Sequence, residues 1–297
     1  PDDPARLRVV TWNVRAGIGP GEPFPPTWWR HVSTDRLAQI ASILTELDPD
    51  LATLQEVAIM TPNGELHDQP AELARLTGRF VRYAAVHAYQ LVEPATGRAI
   101  GMASWGNAIL SREPLSDGFA LGLPRPTDDD VVETEGAVHL VTGAVHPLIG
   151  VPYGATEPGH REPRCVVGGR LAGRGADGLI ATAHLTYIGR AQRRAQADAV
   201  AAALRDRDDP AGAVILTGDF NATVDAPELA TLADGFEDAF LAGGISVDDP
   251  RRASCGAWPI DHIRVRGFAV ESCRVVTEAN DASDHWPVVA DLRRVAG

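Results

Sequence analysis

The chain contains no lysine, and all 27 of its basic residues are arginine. That absence removes Schiff-base chemistry, phosphate binding by a P-loop lysine and serine–lysine dyads, each of which needs an amine. The wealth of Ala, Arg, Gly and Pro traces the deficit to GC-rich codons, and the chemical exclusion holds whatever its origin. Cysteine is scarce too. Cys165, Cys255 and Cys273 stand apart with no C-x-x-C step, which argues against a disulfide framework or a cysteine-rich zinc site. Three buried thiols are expected, with a single Cys255–Cys273 bridge as the alternative. No HExxH or comparable His pair supports a zinc hydrolase. No apolar run approaches the ~20 residues that span a bilayer, so no transmembrane segment is expected. The start, Pro1-Asp2-Asp3-Pro4, lacks the basic-then-apolar pattern of a secretory signal. A chain beginning at Pro1 reads as trimmed or renumbered, so its compartment stays open between cytoplasmic and secreted with the signal removed.

Positive charge is the third shortage. With 40 acidic residues against 27 basic ones, the formal net charge is −13. Polyanion binding rests on cationic side chains that neutralise phosphates. The balance therefore disfavours nucleic acid as a partner, short of a local Arg cluster, and favours a small-molecule or lipid-like one. A soluble monomer is expected. No repeat, low-complexity tract or linker divides the 297 residues, so one large α/β domain over 1–297 is favoured over two small ones.

What is present alternates between strands and helices. Leu7 to Asn13 is a short β-rich run, followed by a Gly- and Pro-rich loop that ends in Trp28-Trp29. Leu37, Ile40, Ala41, Leu44 and Leu47 recur at helical spacing after Ser33 or Thr34 as N-cap, and Asp48-Pro49 ends the helix. Leu51 to Glu56 reads as a strand with Gln55-Glu56 at its end. Further strands are predicted over 81–86, 107–110, 138–145, 179–185, 213–217, 262–265 and 288–292, with a second helix over about 191–205. Residues 121–164 are the least regular and suggest long surface loops that choose a substrate.

The chemistry gathers where apolar runs end in polar groups. The runs close on Asn13, Glu56, His184 and Gly-Asp219-Phe-Asn221, while Asp261-His262 and Asp284-His285 are Asp-His steps. Strand ends of layered α/β proteins converge on one cleft. Carboxylates and amides there are hard oxygen ligands for Mg²⁺, with Mn²⁺ or Ca²⁺ as alternatives. Such an ion with a carboxylate or His to handle a water proton is what phosphoester hydrolysis needs. Each piece alone has an ordinary reading as a solvated loop, a surface carboxylate or an Asx turn. Their number and order carry the signal.

Thr-Trp-Asn13, Leu-Gln-Glu56-Val, Asn107-Ala-Ile-Leu-Ser-Arg, His184-Leu, Gly-Asp219-Phe-Asn221, Ile-Asp261-His-Ile and Ser-Asp284-His285-Trp-Pro-Val resemble the successive motifs of the endonuclease/exonuclease/phosphatase superfamily. The resemblance runs from about residue 7 to 292. It implies a four-layer α/β sandwich, two central mixed β-sheets flanked by helices, with the site at one edge between them. It also implies a metal-dependent phosphodiesterase or phosphatase, with a DNA or RNA nuclease and a catalytically inactive binding scaffold as the alternatives. Under it Glu56 is the principal Mg²⁺ ligand, with Asn13 beside it or touching the phosphate, and Asp284 ligating or bracing. Asp219 orients or deprotonates the water, Asn221 holds the phosphate or a metal-bound oxygen, His184 offers another phosphate donor, and His285 donates to a phosphoryl oxygen while Asp261 fixes its tautomer.

Other residues carry two readings each. Arg164 and Asn107 are candidate substrate-binding residues, with a surface Arg and a turn or bracing Asn as their alternatives. Arg193-x-x-Gln196, on the second helix with Arg190, Gln192 and Arg194, reads as a solvated face rather than a brace. Trp28, Trp29 and Trp105 read as packing before pocket lining. His139 and His146 read as structural, and Asp128 to Asp130 as a solvated acidic loop.

Overall fold

The computed structural model describes residues 5–20, 28–93, 95–124, 144–146, 151–153, 164–172, 177–187, 189–207, 212–279 and 281–295. The first segment is β1 (Arg6–Asn13), α1 (Thr34–Leu47), β2 (Leu51–Met60), β3 (His67–Asp68), α2 (Gln69–Thr77), β4 (Phe80–Val92) and β5 (Ala99–Ser111). Then come β6 (Ser116–Gly122), β7 (Ala144–His146), β8 (Val151–Tyr153), β9 (Cys165–Leu171), β10 (Gly178–His184), α3 (Arg190–Arg205) and β11 (Val214–Asp219). The chain closes with α4 (Ala230–Ala233), β12 (Glu237–Asp238), α5 (Ala239–Ala242), β13 (Asp261–Arg266), β14 (Phe268–Val275) and β15 (Val288–Arg294).

Two mixed sheets result. The first runs β14-β15-β1-β2-β5-β4, with β3 beside β2, and the second β12-β13-β11-β10-β9-β6. Each holds one parallel pair, β1 with β2 and β10 with β11, and each pair is joined by a crossover helix, α1 or α3. Parallel neighbours need such a crossover, whereas the antiparallel strands around them do not. Between the sheets lies an aliphatic core that includes Val9, Leu51, Ile109, Val167, Ile180, Ile215, Ile263 and Val288. Leu37, Ile40, Leu44 and Leu47 of α1 and Leu73 of α2 cover the outer face of the first sheet. Val200 and Leu204 of α3 and Leu232 of α4 cover the second. The fold is a four-layer α/β sandwich.

The helix boundaries have local causes. Ser33 caps α1 by accepting from the Arg36 amide, and Asp48 ends it in a left-handed conformation. Helix α2, which the apolar periodicity does not predict, has Asp68 as N-cap, Pro70 in its first turn and Gly78 as its left-handed stop. Strands β6, β9 and β14 are likewise additions to the predicted elements. Strand β6 is largely exposed and shows no alternation, and β9 is interrupted by Gly168-Gly169.

Helix α3 corrects one expectation. Arg193 and Gln196 are buried. Arg193 binds Glu228 through Nε at 3.1 Å and Nη2 at 2.8 Å, and donates to the Thr186 carbonyl at 3.1 Å. Gln196 Oε1 accepts from the Thr186 amide at 2.8 Å. The pair braces the chain that leaves β10. All three thiols are free, with Cys165 and Cys273 buried and Cys255 half-buried, so no Cys255–Cys273 bridge forms. Trp29 packs in a satellite cluster with Ile18, Met60 and Ile100, and Trp105 lies against it. Residues 128–130 and 138–143, His139 among them, lie outside the described residues, as do the side chains of Trp28 and His146. Among the described residues no helix is long and apolar enough to cross a membrane.

Candidate active site

Asn13, His184 and Asp219 are the last residues of β1, β10 and β11, and Asp261 is the first of β13. Strand ends from both sheets therefore meet at one edge, the side on which parallel α/β pairs open a crevice. Gly218 permits the close approach of β11 to β10, because a Cβ there would stand 1.8 Å from the Ala183 carbonyl oxygen.

Glu56 arrives differently from the strand end expected of it. Strand β2 continues to Met60, and Gln55 and Glu56 together stand opposite Asn107 on β5. This is a β-bulge, which re-aims a side chain. Glu56 has φ 56°, a left-handed conformation that costs a non-glycine residue about 1 kcal/mol or more. Leu54 and Val57 on either side both pack toward α1, while the Glu56 carboxylate turns to the cleft. Its Oε1 lies 3.0 Å from Asn13 Nδ2 and 4.0 Å from His184 Nδ1.

The groups form one connected network. Asn13 Nδ2 also donates to Asp219 Oδ2 at 3.1 Å, and its Oδ1 accepts from the Arg15 amide at 3.0 Å. Asp219 Oδ2 lies 3.4 Å from His184 Nε2 and 3.8 Å from His285 Nε2, and Oδ1 accepts from the Asn221 amide at 2.9 Å. Asn221 Nδ2 stands 3.1 Å from His184 Nε2 and donates to the Leu185 carbonyl at 2.9 Å. His285 Nδ1 lies 2.8 Å from Asp261 Oδ2, so its partner is that distant carboxylate and not the adjacent Asp284. Asp261 Oδ2 is fixed by this bond, and its backbone amide donates to Ser254 Oγ at 3.2 Å.

Burial and neighbouring charge set the protonation of these groups. Burial pushes the Asp219 carboxyl up to about 6, Asp261 adds repulsion, and His285, Asn13 and the Asn221 amide oppose them. Burial alone would lower His285, but the charge and hydrogen bond of Asp261, with Cys255 and Asp219, hold it well above the usual imidazole range. An ionised Asp219 thus faces a protonated His285 near neutral pH. Asp219, Asp261 and His285 each bring a ligand-type atom within 4.8 Å of the others.

The remaining candidates are placed less directly. Asp284 Oδ2 lies 3.3 Å from Arg15 Nε, and its Oδ1 lies 3.3 Å from Ser283 Oγ. Arg164 is buried, with Nη1 2.9 Å from His184 Nδ1, so it is no surface residue. Asn107, opposite the Gln55-Glu56 bulge, is buried and its Nδ2 donates to the Cys165 carbonyl at 3.0 Å. Four supporting residues lie outside the candidates that the sequence singles out. Arg15 pairs with Asp284, and Ser283 Oγ donates to the Asn13 carbonyl at 2.7 Å. Ser254 receives the Asp261 amide, and Trp12 Nε1 donates to the His285 carbonyl at 2.9 Å. Ser283 and Trp12 sit inside the quoted motifs and are legible as neighbours; Ser254 has no local signal.

Comparison with known proteins bears on this arrangement. A family profile described as the Endonuclease/Exonuclease/phosphatase family matches residues 10–285. Among solved structures, an endonuclease/exonuclease/phosphatase from Beutenbergia cavernae has TM-score 0.67 and 22% identity, covering 98% of this chain and 72% of its own. The human Nocturnin catalytic domain with bound sulfate gives TM-score 0.63 at 18% identity, covering 98% of this chain and 94% of that one. A Bacteroides thetaiotaomicron mannosyl-6-phosphatase gives 0.59 at 19% identity, covering 96% and 99%. No curated protein sequence matches the chain.

Proposed function

The chain belongs to the endonuclease/exonuclease/phosphatase family, and we propose that within this family of hydrolases it cleaves a phosphoester of a small or lipid-like molecule with a bound divalent cation, as a phosphodiesterase or phosphatase. The observation that carries the reading is the Asp261–His285–Asp219 chain at the cleft edge, with distances of 2.8 and 3.8 Å. It sets a protonated donor beside a carboxylate base, which is the pairing water attack on phosphorus requires.

Glu56 is the carboxylate suited to hold the cation. Its oxygens are hard ligands, it stands at a strained bulge, and Asp261 is already engaged with His285. Asn13 turns its Nδ2, not its oxygen, to Glu56 and Asp219, and so holds these carboxylates as a donor rather than ligating; hard carboxylate oxygens suit Mg²⁺, and Mn²⁺ or Ca²⁺ as well. When bound, such an ion neutralises non-bridging phosphoryl oxygens. The protein's own groups then divide the work. Asp219 orients the water and accepts its proton. His285 donates to a phosphoryl oxygen through Nε2, its Nδ1–H held by Asp261. His184, Asn221 and Arg164 face the phosphate as donors. Asp284 is better placed to hold Arg15 than to ligate.

The net charge of −13 favours small substrates over polyanions. The test is a panel of phosphomonoesters, phosphodiesters, sphingomyelin and nucleic acids assayed with Mg²⁺ and with EDTA. Hydrolysis of a small ester that EDTA abolishes is expected. His285→Ala and Asp219→Ala should each lower turnover at least ~10²-fold with the fold retained. Activity that survives EDTA, or near wild-type turnover in either variant, would overturn the mechanism.

A further inference from the structure

Below the cleft the sheets face each other through rungs of changing chemistry. Register pairs Val9 with Leu51 and Ile180 with Ile215, then Thr11 with Thr53 and Thr182 with Thr217, then Asn13 with Gln55 and His184 with Asp219. Four strands repeat one period-two pattern: aliphatic, Thr, polar. The four threonines and Gln55 are fully buried. Thr217 Oγ1 donates across the gap to Thr53 Oγ1 at 2.8 Å, and Thr53 Oγ1 passes on to the Val10 carbonyl at 3.1 Å. Gln55 Nε2 donates across the gap to Thr182 Oγ1 at 2.9 Å and within its own sheet to Thr11 Oγ1 at 3.2 Å.

Holding the sheets together does not require hydroxyls, since the rung directly beneath does so with aliphatic side chains and no partners to satisfy. Hydrogen bonds add direction and a fixed length, which apolar packing lacks. That matters here because the site is split between the sheets. Asn13 and Glu56 come from the first and His285 from the turn leading into its β15, and His184, Asp219 and Asp261 from the second. Thr11, Thr182 and Thr217 each stand two residues before a site residue, and Gln55 is the other half of the bulge that turns Glu56.

We propose that Thr11, Thr53, Thr182 and Thr217 with Gln55 form a positioning layer, which sets sheet register and thereby the meeting of the two halves of the site. The inference rests on the phosphoesterase reading above. Its test compares Thr217→Val, Thr217→Ser and Gln55→Met with the wild type. The assay is hydrolysis of bis(p-nitrophenyl) phosphate with Mg²⁺, or of whichever panel ester is turned over, alongside thermal unfolding. Thr217→Val and Gln55→Met are expected to lose about 10- to 100-fold in kcat with KM within about twofold. Thr217→Ser, which keeps the hydroxyl, should restore the rate. Thr53→Val with Thr217→Val should cost less than the sum of the two single losses, because both remove the same bond across the gap.

A second readout needs no turnover. The low-field proton NMR signal of His285 Nδ1–H, bonded to Asp261, should shift or broaden in Thr217→Val and Gln55→Met and return in Thr217→Ser. Unchanged kcat with an unchanged signal would overturn the proposal, as would a loss of stability alone. A wild type that hydrolyses no ester in the panel would instead defeat the phosphoesterase reading, and the NMR signal would still decide the layer.

Discussion

His285 and Asp219 owe their proton states to one another and to Asp261. The base works ionised, above a carboxyl value raised to about 6, and the donor works protonated, below an imidazole value raised by Asp261. kcat/KM is therefore expected to climb through about pH 6 and to fall on the alkaline side as His285 loses its proton. Asp261→Asn removes the charge that raises both groups, so both limbs should move to lower pH. A pH–rate profile of the variant with an unmoved alkaline limb would detach His285 from the donor role. Residue types at this scale are legible in the sequence: Asn13, Glu56, Asp219 and His285 stand in short motifs whose chemistry can be read one letter at a time. Partners are less so. Whether Asp284 holds a metal or an arginine depends on where Arg15 turns, and three-dimensional proximity has no spacing in sequence.

Elements are readable where a period dominates. Helix α1 shows a 3.6-residue apolar stripe with a capping serine, and β1, β10 and β11 show short apolar runs. Glu56 reads as a strand end because a bulge adds one residue to a run that otherwise continues, and nothing in Leu-Gln-Glu-Val-Ala marks the extra residue. Helix α2 carries the signals of Asp68, Pro70 and Gly78, yet it is only nine residues long and buries few apolar side chains beyond Leu73 and Ala74. Helix α3 misleads in another way. Arginine on a helix usually faces water, and it takes Glu228, from a separate turn, together with the Thr186 carbonyl to make a buried Arg193 tolerable. Removing one partner of a buried pair leaves the other charge uncompensated, at about 3 kcal/mol or more. Arg193→Met is accordingly expected to lower Tm by roughly 6–12 °C, with kcat at saturating substrate largely kept. Calorimetry on the metal-free protein checks it, and an unchanged Tm would remove the brace.

Across the molecule, the sandwich brings two similar halves together: a parallel pair, its crossover helix and a polar strand end in each sheet. The four-fold aliphatic–Thr–polar pattern is present in the sequence, its threonines 35 to 129 residues from one to the next, and only the pairing of strands aligns it. Charge acts at this scale as well. A chain of −13 repels an anionic substrate over a range set by screening, about 30 Å at 0.01 M salt and about 8 Å at 0.15 M. For a small phosphoester carrying negative charge, kcat/KM is expected to rise as NaCl goes from about 0.01 to 0.15 M at fixed Mg²⁺, because screening weakens the repulsion that slows encounter. A nucleic-acid enzyme should show the reverse, since salt cations compete with its arginines for every phosphate they neutralise and affinity falls steeply as salt rises. Steady-state rates on a small diester and on plasmid DNA across that salt series separate the two. A steep fall on DNA, with no turnover of the small ester, would move the substrate to a polymer while leaving the Asp261–His285–Asp219 chemistry in place.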